Sequence, residues 1–273
     1  MGDFPNALRS AWLPRNPKVR GFLLDITGVL YESGGEGGKV IPGSVEAIQR
    51  IRNSGVPVKF LSNETQTSRI GIVKKLRKHG FDLCVDDIIT PCPAVVAALN
   101  ERQLRPYLVV HPDALPEFDE ISTNEPNCVV IADAAHHLSY ENLNTAFRVL
   151  MNSEEKILFT LGKGKFYQED GELTLDVGPF ATGLEYACGV TAEVIGKPSE
   201  SYFLEGAKRL GMRPEEVVMI GDDIESDVGG AMKLGMTGIL VRTGKYRPTN
   251  ENHQVKPDAV VDNLHAAIDQ FLE

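Results

Sequence analysis

The sequence has little cysteine, and none of it in an arrangement that points to a metal or a disulfide framework. Cys84, Cys92, Cys128 and Cys188 form no CxxC pair and have no accompanying histidine cluster. Reduced packing residues are therefore expected rather than a zinc site, a usage that suits the cytosol. No apolar run is long enough to span a bilayer, so no membrane association is expected. The first twenty residues are polar and proline-rich without an apolar core, and no signal peptide is expected there. Asn6 stands where a myristoylation motif needs Ser or Thr. Positive charge is in deficit: 28 basic residues against 38 acidic ones give a net charge of −10. That weighs against nucleic acid and anionic membrane surfaces as partners. It leaves an anionic substrate open, because a local cation can invert the field inside one site. Internal repeats and low-complexity tracts are also missing.

What is present is a soluble globular composition, with 42% hydrophobic and 24% charged residues over 273 positions. That length fits one large domain or two ordinary ones. The informative stretch is residues 19–30. A short apolar run of strand length ends on Asp25, with Thr27 and Gly28 just beyond. Such a run suits a strand buried on both faces. Its carboxyl end is where open α/β sheets bind ligands.

Short apolar runs then alternate with amphipathic segments. Strands are expected over 56–61, 86–90, 216–220, 238–241 and 259–261. Helices are expected over 44–53, 68–79 and 201–210, after Asp227 as far as Lys233, and over 265–272. Ile70, Val73 and Leu76 should share the buried face of the 68–79 helix. This alternation predicts a doubly wound parallel sheet. Residues 91–194 carry their own pattern, with strands over 107–110, 128–131 and 156–160 and helices over 94–100 and 140–151. Asp170-Gly171 marks a hairpin there. The domains expected are a core of 1–90 and 195–273 and an inserted α/β unit of 91–194. Residues 1–18 read as an irregular arm that Trp12 can pin. The glycine-rich stretch 31–40 reads as a flap. It fails the P-loop pattern, since Ser33 replaces the first glycine and Val40 follows Gly38-Lys39.

Four groups at strand ends can converge along one sheet edge: Asp25, Ser62-Asn63, Lys197 and Asp222. Asp25 and Asp222 are hard oxygen ligands suited to Mg²⁺, and a peptide carbonyl near Asp25 can supply a third. Lys197 and the cation neutralise a phosphate, while Ser62 and the amide of Asn63 donate to its oxygens. Asp25 can then attack phosphorus, because carboxylates serve as covalent nucleophiles in phosphoryl transfer.

Together these residues resemble the haloacid dehalogenase superfamily of phosphatases. Its four motifs stand in order as Asp25-Ile26-Thr27-Gly28-Val29-Leu30, Leu61-Ser62-Asn63, Gly196-Lys197-Pro198, and Gly221-Asp222-Asp223 with Asp227. The insert resembles that family's type II cap. The resemblance implies a Rossmann-like core and Asp25 as nucleophile. It implies Asp25, Ile26, Thr27, Ser62, Asn63 and Lys197 around the substrate. It implies Asp25, Thr27 and Asp222 around Mg²⁺, with Asp223 and Asp227 behind them. The stretches 161–167, 175–179, 184–189 and 241–245 are similar to a branch of the family that hydrolyses P–N bonds and pyrophosphate. That branch implies phosphohistidine, phospholysine or imidodiphosphate as substrates, and a homodimer of cytosol and nucleus.

One departure is informative. Most of the family carries a second aspartate two residues after the nucleophile, where it protonates the leaving group; here Thr27 stands there. General acid catalysis is worth roughly 10²–10⁴-fold, so alkoxides should leave poorly. Imidazole, with a pKa of about 6.5, and phosphate need less help. Competing readings are a sugar- or nucleotide-phosphate phosphatase with the same cap, and a receiver-like phospho-acceptor module. The lone Asp25 and the long insert count against the module. Asp223, Glu225 and Asp227 also fit a solvated helix start. His136-His137, Lys163, Lys165 and Arg242 fit surface roles.

Overall fold

The computed structural model describes residues 19–34, 37–169 and 172–272. Trp12 and its arm, and the Asp170-Gly171 turn, lie outside the described residues. In chain order the first elements are β1 (Gly21–Leu24), β2 (Tyr31–Glu32), β3 (Lys39–Val40), α1 (Ser44–Asn53), β4 (Val58–Leu61), α2 (Arg69–Lys78) and β5 (Ile88–Ile89). Next come α3 (Pro91–Glu101), β6 (Pro106–Val109), β7 (Cys128–Ile131), α4 (Tyr140–Asn152), β8 (Ile157–Thr160), β9 (Phe166–Glu169), β10 (Glu172–Leu175), α5 (Val177–Cys188) and β11 (Glu193–Val194). The chain closes with α6 (Glu200–Leu210), β12 (Val217–Gly221), α7 (Gly230–Met232), β13 (Thr237–Val241), β14 (Ala259–Val261) and α8 (Leu264–Ile268).

Six strands form one parallel sheet in the order β14-β13-β12-β1-β4-β5. All four residues of β1 are buried. Successive side chains of a strand point to opposite faces, and β1 shows the consequence. Phe22 and Leu24 join the core formed with α1, α2 and α8, while Leu23 joins the opposite core against Tyr202, Phe203 and Ala207 of α6. Helices therefore cover both faces, as a parallel sheet requires. From β1 the chain moves outward through β4 on one side and returns through β12 on the other. The carboxyl end of β1 thus lies at the reversal of strand order, where such sheets open a ligand crevice.

The insert forms a second parallel sheet, β11-β8-β7-β6. It too is covered on both faces, by α4 and α5 on one and by α3 on the other. The protein is thus a Rossmann-like α/β core with an inserted α/β cap. β9 and β10 pair as the hairpin expected there, and β2 and β3 pair across the glycine-rich stretch.

Several elements differ from the sequence reading. In α2 the buried side chains are Ile72, Val73 and Leu76, which pack into the core beneath the sheet, and Ile70 is exposed on the other side of the helix. The 86–90 strand shrinks to Ile88–Ile89, since residues 85–87 form a tight helical turn. α3 starts at Pro91, three residues early, with proline at a first-turn position it tolerates. The helix expected after Asp227 is split: a wide π-type turn, Ile224–Gly229, precedes the short α7. The closing helix ends at Ile268. All four cysteines are free; Cys92, Cys128 and Cys188 are buried as expected of packing residues, and Cys84 is exposed.

Candidate active site

Asp25 follows β1 directly and is 7% exposed. Its Oδ1 accepts from Lys197 Nζ at 2.6 Å. The same ammonium lies 2.7 Å from Asp227 Oδ1. Burial alone would push the Lys197 ammonium down; the carboxylates of Asp227 and Asp25 outweigh it and hold its pKa above that of ordinary lysine. Asn63 positions this lysine through its backbone. Its Nδ2 donates to Lys197 O and its Oδ1 accepts from Lys197 N, both at 2.8 Å. Ser62 is buried, and its Oγ accepts from the amide of Glu64 at 3.0 Å. Tyr202 Oη lies 2.8 Å from Ser62 O and 3.0 Å from Ile89 O, bracing the carboxyl ends of β4 and β5.

Asp222 follows β12 and is 2% exposed. Burial, then the charges of Asp25 and Asp227, raise its pKa well above the carboxylate range, against the pull of Lys245. Its Oδ2 accepts from the amide of Lys245 at 2.7 Å. Gly28 and Gly244 flank this carboxylate, both with positive φ (+87° and +56°), and a Cβ on either would come within 2.0 Å of Asp222 Oδ2. Only glycine therefore fits at these two positions. Asp227 is buried rather than part of a solvated helix start. Burial raises its pKa to about 6 although Lys197 pulls it down. Asp223 is also pushed up by burial, but Lys245 and the amides of Ser226 and Glu225 more than reverse this.

One carboxylate oxygen from each of Asp25, Asp222 and Asp227 lies within 4.8 Å of the others. With Asp223, four carboxylates face two ammonium groups, Lys197 and Lys245. A hard divalent cation suits this all-oxygen, electron-rich donor set and its excess of negative charge.

These groups open onto one cavity of about 380 Å³. Asp25, Thr27, Ser62, Asn63, Lys197, Asp222, Asp223 and Asp227 all line it. Of the expected residues, Ile26 alone is missing from its wall; the Ile26 side chain is packed in the core, leaving only its backbone near the site. Thr27 Oγ1 donates to Tyr31 Oη at 3.2 Å, and Lys75 Nζ donates to the same oxygen at 2.9 Å. The groups the sequence reading missed are Lys245, Tyr202, Tyr31, Lys75 and, from the cap, Asp133 and Asp176. The local signal for Lys245 was Thr243-Gly244-Lys245 at the end of β13, another strand end with a small residue and a cation. His136 and His137 are exposed. Lys163 pairs with Glu185 and Lys165 with Glu225, both at their best distances under 3.0 Å, and Arg242 pairs with Asp262 at 3.0 Å.

The chain is similar over most of its length to known proteins. A haloacid dehalogenase-like hydrolase model matches residues 22–123, and a second model for such hydrolases matches residues 194–267. The phospholysine phosphohistidine inorganic pyrophosphate phosphatase of Danio rerio is 53% identical over 93% of this chain and 94% of its own. The protein of that name from Homo sapiens is 51% identical over 96% of this chain and 97% of its own. Among solved structures, the 4-nitrophenylphosphatase of Thermotoga maritima superposes with a TM-score of 0.82 at 25% identity, covering 92% of this chain and 97% of its own. With half of its residues shared over nearly the full length of such relatives, and with the motif residues gathered around one cavity, the chain belongs to the haloacid dehalogenase-like hydrolases, in the group of the phospholysine phosphohistidine inorganic pyrophosphate phosphatases.

Proposed function

We propose that the protein is a Mg²⁺-dependent phosphatase that takes a phosphoryl group onto Asp25 and releases it to water. Its substrates on this reading are P–N compounds (phosphohistidine, phospholysine, imidodiphosphate) and inorganic pyrophosphate. The observation that carries the chemistry is the buried Asp25–Lys197–Asp227 array at the carboxyl end of the central strand, facing a cavity. The substrate class rests on the relatives' names and on Thr27.

Asp25 is the nucleophile, and its attacking oxygen forms the bond to phosphorus as the P–N or P–O bond breaks. Lys197 fixes the rotamer of Asp25 and neutralises a phosphoryl oxygen. Ser62 Oγ and the amide of Asn63 donate to the others. Positioning and charge neutralisation supply most of the rate in such a transfer. Asp25, the Thr27 carbonyl and Asp222 would hold Mg²⁺, which supplies charge neutralisation to the phosphoryl group when bound. Asp227 and Asp223 hold Lys197 and Lys245 in place. The insert, residues 91–194, acts as the cap that excludes water. Thr27 offers no carboxyl proton, so leaving groups that depart readily are favoured.

The runner-up substrates are sugar or nucleotide monophosphates. Parallel assays of imidodiphosphate and glycerol phosphate separate the two readings: the P–N reading requires faster turnover of imidodiphosphate. We further propose a homodimer formed through the cap, where Leu173, Leu175 and Tyr186 are exposed, and residence in cytoplasm and nucleus. No helix among the described residues is long and apolar enough to cross a membrane.

A further inference from the structure

The cap lines the cavity with two carboxyl groups for which the scheme above has no role, Asp176, which pairs with Lys245, and Asp133. Asp133 stands two residues beyond the end of β7 and lines the same cavity as Asp25, Ser62 and Lys197. It is tied to the loop that leaves β4 in the core. Its Oδ2 accepts from Gln66 Nε2 at 2.7 Å, and its amide donates to Thr65 Oγ1 at 3.2 Å. Its Oδ1 accepts from the amide of Ala135 at 3.2 Å. A carboxylate offers about four accepting positions, so capacity remains for a ligand.

The groups around it share its sign. Glu64, on the loop from β4, and Asp176, at the start of α5, both act on Asp133. Tyr167 of β9 approaches the same Gln66 amide at 3.4 Å. The nearby cations are engaged elsewhere: Lys75 by Tyr31 Oη, and Lys245 by Asp176 and Asp223 at 3.8 and 3.6 Å. Around Asp133 itself the cavity wall is therefore acidic, while Lys197 stands among the carboxylates at the phosphoryl end.

In-line attack by Asp25 puts the leaving atom on the side of phosphorus away from Asp25, in the cavity that Asp133 also lines. Nitrogen and oxygen leaving groups differ there. A phosphoramidate such as phospholysine carries hydrogen on its nitrogen and, once protonated for departure, positive charge. The bridging oxygen of a phosphate ester carries neither. We propose that the Asp133 carboxylate is the specificity contact for this N–H, accepting its hydrogen bond and favouring phosphoramidates that carry one, such as phospholysine, over phosphate esters. The assignment rests on the P–N reading of the site. Burial, reinforced by Asp176 and Glu64 and opposed by the donors Gln66 and Ala135, raises its pKa to about 6. It is therefore ionised, and able to accept, above that pH.

The test is kcat/KM for phospholysine and for p-nitrophenyl phosphate in wild type, Asp133→Asn and Asp133→Glu, at pH values on both sides of 6. A hydrogen bond to a charged group is worth about 10- to 100-fold, so the phospholysine-to-ester ratio should fall by that factor in Asp133→Asn. Asp133→Glu keeps the charge and should recover most of the ratio. The wild-type advantage over Asp133→Asn in that ratio should fade as the pH drops below 6. A residue that merely latches cap to core would slow both substrates together. An unchanged ratio at every pH therefore overturns the assignment. Wild-type protein that turns over p-nitrophenyl phosphate but not phospholysine would overturn the P–N reading, and this assignment with it.

Discussion

Replacing Lys197 with Met probes the electrostatics of the site directly. The ammonium lies 2.6 Å from Asp25 Oδ1 and 2.7 Å from Asp227 Oδ1, and the residue is 2% exposed. Met keeps much of the length and removes the charge, leaving two carboxylates buried without their partner. Breaking a buried pair in this way costs about 3–5 kcal/mol, a large part of the roughly 5–15 kcal/mol that keeps a domain folded. The pH dependence has a definite sign. The folded pKa of Lys197 lies above the 10.5 of an ordinary lysine, so its contribution is complete below that pH and is lost only as the pH rises through the folded value. Around neutrality the lysine therefore contributes in full. The variant behaves differently on acidification. Asp227, already raised to about 6, moves higher without its counter-charge. Protonation then relieves the unpaired charge, and the stability gap to wild type narrows. Urea denaturation of both proteins in chelator, at neutral and mildly acidic pH, measures the gap. Excess Mg²⁺ should close part of it, because the cation neutralises the same carboxylates. No loss of stability at neutral pH, or a gap that widens with acid, would refute the reasoning.

The other expectations concern the metal, the leaving group and the assembly. Asp222→Asn should weaken Mg²⁺ activation. In the wild type, apparent Mg²⁺ affinity should rise with pH, since the raised pKa of Asp222 makes protons compete with the cation; a pH-independent titration counts against it. Thr27→Asp should raise the rate ratio of glycerol phosphate to imidodiphosphate, by at most the roughly 10²–10⁴-fold value of a general acid. An unchanged ratio in a folded, metal-bound variant would shift the leaving-group preference to cap residues. Light scattering at micromolar concentration should give the mass of two chains, and a monomer would remove the dimer proposal without touching the chemistry.

The strand ends were legible in the sequence because their signal is local. Asp25 and Asp222 each terminate a wholly buried run, and a carboxylate in that place stands out against Val, Leu and Ile. Lys197 was legible through its glycine and proline neighbours. Lys245 and Asp133 carried the same local mark, each just beyond an apolar strand, but their sites of action were not read from it; Tyr202 had no local mark at all. Their roles arise where residues far apart meet, as Tyr202 meets Ser62 and Ile89, or Asp133 meets Gln66. α5 was obscured differently. Gly178, Pro179 and Gly183 interrupt its apolar pattern, although Pro179 sits in the first turn, where it removes no helical hydrogen bond. In α2 the spacing of Ile70, Val73 and Leu76 was as helical as that of Ile72, Val73 and Leu76; packing against the sheet, which spacing does not encode, selected the second set.

The central claim is that the phosphoryl group passes through Asp25. The direct measurement is acid quench during steady turnover of imidodiphosphate with Mg²⁺, borohydride reduction, and mass analysis of the peptide spanning residues 21–30. An acyl phosphate is reduced where a free carboxylate is not, so homoserine should appear at position 25 in the wild type. Asp25→Asn should remain folded and lose turnover. Unmodified Asp25 during turnover, together with a folded Asp25→Asn variant of near-wild-type rate, would contradict the account.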